Sequence, residues 1–130
     1  MPSTENDRFA KTLRFKTLVQ RKDFAEVEAF VEDDFLNGVD IAHGGFLFTM
    51  SDYALALAAN TDERVAISSS GAIEYVNPVP PHTKLVAVCN MLAGTNKSGY
   101  YETKVFDKDR KTLFCIFHSR AIYKSVLKSR

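Results

Sequence analysis

Cysteine is scarce in this sequence, and no stretch carries a long run of charge of one sign. Cys89 and Cys115 form no CxxC pair, so neither a zinc site nor a disulfide framework is expected, and both are predicted to be small buried hydrophobes in strands. Seventeen Lys and Arg residues nearly balance sixteen Asp and Glu residues, for a formal net charge of +1. That balance excludes a strong electrostatic case for nucleic acid or an anionic membrane as a partner.

The sequence also lacks an apolar run long enough to span a bilayer, and it lacks internal repeats and linkers. Residues 1–7 are polar and contain Glu5 and Asp7, which is unlike a signal peptide. We therefore expect a soluble, cytoplasmic protein. A chain of 130 residues is large enough to bury one core, so residues 1–130 are predicted to form a single domain.

The hydrophobic pattern predicts two helices and six strands. The expected helices cover residues 5–13 and 44–60, and the expected strands cover residues 14–19, 24–31, 65–76, 84–93, 100–106 and 112–123. Short links between strands favour antiparallel hairpins, and the proline-rich link 78–81 cannot enter a central strand. The segment 44–60 is apolar on nearly every side, which indicates a buried helix. These elements predict an α+β fold in which a curved antiparallel sheet is wrapped around one long central helix.

One carboxylate, Asp52, lies within this apolar helix, and two glycines, Gly44 and Gly45, lie at its start. An ionised acid is costly to bury, so Asp52 needs either polar partners or a chemical task. The glycines leave backbone N–H groups bare where the helix dipole is positive. N–H donors that face an acid across one pocket indicate acyl-transfer chemistry, and the alternative is an Asp52 held by structural hydrogen bonds.

The order of elements and this loop–helix motif resemble the hotdog fold, specifically the phenylacetyl-CoA (PaaI) type of acyl-CoA thioesterases. The resemblance covers nearly the whole chain, and its most specific part is the HGG triplet with an Asn before it and an Asp after it. The residues that carry it include Leu36-Asn37-Gly38, Ala42-His43-Gly44-Gly45, Leu47-Phe48, Ser51-Asp52, Ser70, Pro78 and Lys97-Ser98-Gly99. The proline-rich link 78–81 departs from the family pattern and could reshape the acyl or CoA channel.

The resemblance implies that Asp52 is the essential residue, which either directs a water at the thioester carbonyl or attacks the carbonyl itself. It also implies that Asn37 helps to hold that water or nucleophile, that the Gly44 N–H polarises the thioester oxygen, and that Ser70 supports the water. By the same resemblance the site lies at a dimer interface. Asn37 and Gly44 of one subunit are expected to face the Asp and Ser of the other.

The assignment of Ser70 depends on the resemblance, because Ser70 belongs to a run of three serines, 68–70. Any of the three could be an ordinary strand serine. Strand alternation is expected to place Ser68, Ser70 and Ala72 on one face of the sheet.

Four further residues are expected to lie at the site. His43 is expected to orient the loop by hydrogen bonding rather than to shuttle protons. Gly45 is expected to line the substrate site. Lys97 and Ser98 are expected to contact the CoA phosphates, and an ordinary solvated turn is an equally good interpretation of these two residues.

Three functions fit the motif. The first is hydrolysis of an acyl-CoA, with the CoA thioester as substrate and with no cofactor and no metal. The second is a hotdog hydratase or dehydratase that pairs His43 with Asp52, which the absence of a His-Phe-Pro-Gly-like loop disfavours. The third is a non-catalytic acyl-CoA-binding protein, which the presence of Asp52, Asn37 and Gly44 together disfavours. In each case we expect a homo-oligomer, either a dimer or a dimer of dimers.

Overall fold

A computed structural model of the chain describes residues 6–125. The elements follow in the order α1 (Arg8–Thr12), β1 (Lys16–Arg21), β2 (Phe24–Phe30), a 3-10 turn (Asp33–Phe35), α2 (Gly44–Ala59), β3 (Arg64–Tyr75), β4 (Lys84–Gly94), β5 (Ser98–Asp107) and β6 (Leu113–Ser125). The predicted helices and strands are present with bounds that differ by a few residues, and the start of the first predicted helix lies outside the described residues. Within residues 6–125, no helix is long and apolar enough to cross a membrane.

All six strands form one antiparallel sheet in the order β1-β2-β4-β5-β6-β3. The links β1–β2, β4–β5 and β5–β6 are hairpins, as predicted. The proline-rich link from β3 to β4 is not a hairpin, because β3 pairs with β6 at one edge of the sheet. The prolines in this link have no backbone N–H group that could donate a hydrogen bond to a neighbouring strand. Its Val79 is instead buried, with its carbonyl oxygen accepting a hydrogen bond from the N–H of Ala42 at 2.9 Å.

Strand β3 contains a bulge, which changes the direction of its side chains. Its register against β6 shifts between Ser68 and Ser70, and the Ser68 hydroxyl points toward α2. Gly71 also faces α2, because a Cβ atom there would lie 3.0 Å from Cζ of Phe48. Ser70 and Ala72 flank Gly71 and therefore face away from α2. The prediction that Ser68, Ser70 and Ala72 share one face is wrong, because the extra residue of a bulge reverses the alternation.

Helix α2 packs against all six strands, which confirms the predicted central helix in an α+β fold. Most of its side chains are buried, with Met50 fully covered and Leu57 nearly so. Burying a side chain of this size contributes about 1.5–3 kcal/mol to folding. Ala54 and Ala58 are also fully buried, and their small side chains let the strands approach the helix closely.

The C-terminal end of α2 is tied to neighbouring strands. The side-chain oxygen of Asn60 accepts a hydrogen bond from the N–H of Ala66 at 2.9 Å. Nε of Arg64 donates to the carbonyl of Ala59 at 2.8 Å, and Nη2 of Arg64 lies 2.6 Å from Oδ1 of Asp23. These contacts fix the rotation and the axial position of α2, and with them the direction of the carboxylate at its middle.

Candidate active site

Asp52 lies midway along α2, where it is partly buried. Within residues 6–125 its carboxylate accepts one hydrogen bond, a long one of 3.4 Å from the hydroxyl of Ser68 to Oδ1. Burial raises the pKa of Asp52, the hydrogen bond from Ser68 opposes that shift, and the negative charge of Asp7 adds to it. A carboxylate with a raised pKa and one weak partner is better suited to accept a proton than to hold the fold together.

The start of α2 presents one backbone donor to a cavity. The N–H of Gly45 donates to Nδ1 of His43 at 2.9 Å, and the N–H groups of Phe46 and Leu47 donate to the carbonyl of His43 at 2.9 and 3.4 Å. The N–H of Gly44 makes no hydrogen bond with any residue in the range 6–125. It is therefore available to an acceptor at the positive end of the helix dipole.

His43 acts as the N-cap of α2. Its Nδ1 accepts from Gly45, so a neutral ring carries its proton on Nε2. Its backbone N–H donates to the carbonyl of Phe35 at 2.8 Å, which ties the loop to the 3-10 turn. This geometry agrees with the predicted role of His43 in orienting the helix start. The hydrogen bond from Gly45 occupies one of the two ring nitrogens of His43.

Asn37 is fixed at the base of the loop that precedes α2. Its Oδ1 accepts from the N–H groups of Val39 and Ile41 at 3.0 and 3.3 Å, and its own N–H donates to the carbonyl of Ile41 at 2.8 Å. Asp40, at φ 62°, adopts the left-handed conformation that closes this tight loop. Because the backbone holds Oδ1, the side-chain NH₂ group of Asn37 is left as a donor.

Asn37 and Gly44 line the same cavity, which has a volume of about 310 Å³. Tyr75 at the end of β3 and Asn77 in the following link form another part of its wall. The structure thus brings together an N–H donor at a helix start and a side-chain amide. These are the two donor groups that the sequence predicts for this end of the site.

Asp52 lies far from these donors within one copy of the chain. Eight positions separate Gly44 from Asp52 (52 − 44), so a rise of about 1.5 Å per residue places them about 12 Å apart along α2. A reacting carbonyl has to lie about 3 Å from both the oxyanion donor and the attacking group. One copy of the chain therefore brings Asn37 and Gly44 together and holds Asp52 apart from them.

The predicted residues Ser70, Lys97 and Ser98 also lie away from that cavity. The hydroxyl of Ser70 accepts from the N–H of Arg120 at 3.1 Å on the sheet face opposite α2. Ser98 is mostly buried, and its hydroxyl lies 3.5 Å from that of Thr95. Gly99 and Ser68 pair with the same residue of β6, so the turn with Lys97 and Ser98 lies at the Ser68 end of the sheet.

Sequence reasoning missed two residues that touch the candidate groups, Ser68 against Asp52 and Tyr75 against Gly44. A bulge within a run of three serines leaves no mark on the alternation pattern, so Ser68 and Ser70 could not be told apart. Tyr75 is far from Gly44 in the sequence, and no local pattern connects the two.

Within residues 6–125, no three side chains of the types His, Cys, Asp and Glu are grouped so as to hold a metal ion. The polar groups proposed for this site are the backbone N–H of Gly44, the side-chain amide of Asn37 and the carboxylate of Asp52. These groups suit an acyl carbonyl and its developing negative charge.

An antiparallel sheet wrapped around one long helix defines the hotdog fold. A model of the family called the thioesterase superfamily matches residues 40–114, more than half of the chain, and the chain belongs to that family. The resemblance to its PaaI type is confirmed, and the protein is a thioester hydrolase.

Three matches to two proteins give the extent of this similarity. Acyl-coenzyme A thioesterase PaaI of Escherichia coli is 30% identical over 109 residues, which cover 84% of this chain and 78% of that protein. The solved structure of the Escherichia coli PaaI protein matches with a TM-score of 0.87 at 27% identity and covers 92% of this chain and 86% of that one. The TT0310 protein from Thermus thermophilus matches with a TM-score of 0.84 at 28% identity and covers 90% and 97%.

Proposed function

We propose that this protein hydrolyses acyl-CoA thioesters to a free acid and CoA, with Asp52 as general base or nucleophile and the N–H of Gly44 as the oxyanion donor. The similarity to the acyl-coenzyme A thioesterase of Escherichia coli supports the substrate class. The observation that carries the mechanism is the N–H of Gly44, which makes no hydrogen bond within residues 6–125 and lies at the positive end of α2 in one cavity with Asn37.

In the general-base route, Asp52 takes a proton from a water while the water oxygen bonds to the thioester carbon. The carbonyl oxygen becomes negatively charged, and the N–H of Gly44 stabilises it by about 3 kcal/mol, the usual effect of one such donor. The C–S bond then breaks, and CoA leaves as a thiol after taking up a proton. In the nucleophilic route, Asp52 bonds to the carbon itself and displaces CoA, and water hydrolyses the resulting anhydride.

A second copy of the chain completes the site in this proposal. Segment 65–73 of the edge strand β3 contains no charged residue and is mostly exposed. An uncharged open edge favours pairing with another strand. Antiparallel pairing of two β3 strands about a two-fold axis sets the Tyr75 end of one copy against the Ser68 end of the other. Gly44 then faces Asp52 of the partner subunit.

The outer parts of the site are proposed on the same basis. Ser68, which already contacts Asp52, is proposed to support the attacking water in place of Ser70, because the Ser70 side chain lies on the sheet face opposite α2. Lys97 and Ser98 are assigned to the CoA phosphates. CoA is a substrate in this proposal, and neither a cofactor nor a metal takes part.

We also propose that two such dimers assemble into a tetramer, and a cytoplasmic location stays a prediction. Light scattering at assay concentration tests the assembly. A stable monomer that is fully active would contradict both the tetramer and the shared site.

The two other functions have less support. A hydratase would use His43 as a base, but Nδ1 of His43 already accepts the N–H of Gly45 and caps α2. A non-catalytic binding protein would have no need for a partly buried carboxylate whose one hydrogen bond within the described part of the chain is the long one from Ser68.

Thiol release from a panel of aromatic and aliphatic acyl-CoAs, followed with a thiol reagent, tests the proposal. Burial raises the pKa of Cys89 to about 12 and that of Cys115 to about 11, so the protein's own thiols add little signal. Release of CoA supports hydrolysis. A change in enoyl absorbance without thiol release would support hydration instead, and binding without turnover would support an acyl-CoA sensor.

A further inference from the structure

Tyr75 contacts the helix start at the candidate oxyanion donor. Its hydroxyl donates a hydrogen bond to the carbonyl oxygen of Gly44 at 2.9 Å, from the last residue of β3 to the first residue of α2. Tyr75 also lines the cavity that contains Gly44 and Asn37. The ring is about half exposed, so the fold does not depend on it for a large part of the core.

Close approach by Tyr75 explains why position 44 is a glycine. A Cβ atom at Gly44 would lie 2.8 Å from the hydroxyl oxygen of Tyr75 and 3.0 Å from its Cζ. No described glycine has a positive φ, so backbone conformation does not demand glycine here. The Tyr75 ring therefore leaves no room for a side chain at position 44, and the helix start limits where the ring can lie.

We infer that Tyr75 is a positioning residue of the thioester site. Its hydroxyl holds the carbonyl group of Gly44, and this contact keeps the helix start oriented so that the N–H of Gly44 faces the cavity. The inference rests on the proposed function, because it assigns a task to that N–H. The peptide before Gly44 is already fixed through the carbonyl of His43, which accepts from two N–H groups of α2. The hydroxyl of Tyr75 fixes the peptide that follows Gly44, so both sides of the donor are held.

This role needs the hydroxyl as a neutral donor. Burial raises the pKa of Tyr75 above its usual value, with a smaller contribution from Cys115. The hydroxyl thus keeps its proton throughout the range in which Asp52 titrates. Loss of the hydroxyl should lower turnover by the same factor at each pH and leave the acid side of the pH profile in place.

The variant Tyr75→Phe removes the hydroxyl and keeps the ring. We expect kcat to fall about fivefold, the usual effect of one neutral hydrogen bond, with KM for the acyl-CoA nearly unchanged. The matched control is Tyr100→Phe, because Tyr100 is also about half exposed but its hydroxyl makes no hydrogen bond within residues 6–125. That control should keep wild-type kcat, and thermal melting should show that both variants fold.

A double-mutant cycle with Gly44→Ala tests the contact itself. The added methyl group in Gly44→Ala meets the hydroxyl oxygen of Tyr75 at 2.8 Å, and replacing Tyr75 by Phe removes that contact while leaving the one with Cζ at 3.0 Å. The loss of kcat caused by Gly44→Ala should therefore be smaller in the Tyr75→Phe background than in the wild type. Losses that simply multiply would show two independent sites.

The outcomes separate the two proposals. If the wild type releases thiol from an acyl-CoA and Tyr75→Phe keeps full kcat, the role of Tyr75 is refuted and the thioesterase proposal stands. A shift of the acid limb in Tyr75→Phe would also refute it. If the wild type releases no thiol from any acyl-CoA, the proposed function fails, and the role of Tyr75 fails with it.

Discussion

Two variants that are each nearly inactive, Asp52→Asn and Gly44→Val, should restore activity to each other when they form mixed dimers. The physical reason is the distance of about 12 Å along α2 between the two positions in one chain. Each site is expected to take Gly44 from one copy and the acid from the other. In a mixed dimer, one of the two sites combines an intact Gly44 with an intact Asp52, and the other site contains both substitutions.

The size of the effect follows from counting sites. Random association of the two variants in equal amounts gives about half mixed dimers, and one of the two sites in each is intact. About a quarter of all sites should then be active. If each variant alone keeps about one hundredth of wild-type kcat, mixing should raise activity about twenty-five-fold. The assay is thiol release after the two chains are co-expressed or unfolded and refolded together.

A matched control uses one chain that carries both substitutions. When this double variant is mixed in equal amounts with the wild type, both sites of a mixed dimer contain one substitution. Total activity should then fall to about a quarter of an all-wild-type sample of the same protein content. A site that lies within one chain would give about half in this control and no recovery in the first mixture. Those two results together would refute the shared site.

Four further predictions concern the same site. Gly44→Val keeps the backbone N–H but crowds the carbonyl pocket and disturbs the loop-to-helix turn, so the donor should move out of position and kcat should fall about a hundredfold. Gly38→Ala, where a Cβ atom meets nothing within 4 Å, should retain kcat. Equal kcat in the two folded variants would remove the assignment. The acid limb of kcat/KM should lie above the usual aspartate pKa of about 3.9, because burial raises the pKa of Asp52; a limb at or below that value would contradict this. The pKa of Asp52 is higher in the folded protein than in the unfolded chain, so ionised Asp52 lowers the stability of the fold at pH values above its folded-state pKa. Asp52→Asn should therefore raise the melting temperature at neutral pH more than at acid pH. Turnover should survive treatment with a chelator, and loss of activity that a divalent ion restores would show that a metal takes part.

The sequence was sufficient to predict the central helix and the groups at its start. An apolar profile on every side leaves a helix no stable position except inside the sheet, and α2 spans Gly44–Ala59 as that profile indicates. The loop with Asn37 and the HGG triplet are close together in sequence, so local geometry brings Asn37 and Gly44 to one cavity.

Long-range pairing could not be derived in the same way. The sequence contains no mark that β3 pairs with β6, because cross-strand partners are set by how the whole sheet closes around α2. The bulge that turns Ser68 toward Asp52 and Ser70 away from α2 depends on that pairing. The contact between Tyr75 and Gly44 depends on it too, since Tyr75 reaches the helix start from the far end of the edge strand.

Turnover of the Asp52→Asn variant tests the central claim most directly. The amide keeps the shape of the side chain and is cheaper to bury than an ionised acid, so the protein should fold and bind acyl-CoA. It can no longer take a proton or attack the carbonyl, so thiol release should fall by at least about a hundredfold. Substrate affinity should stay near that of the wild type, because the acid acts mainly at the transition state. Near-normal thiol release by a folded Asp52→Asn oligomer would contradict the mechanism.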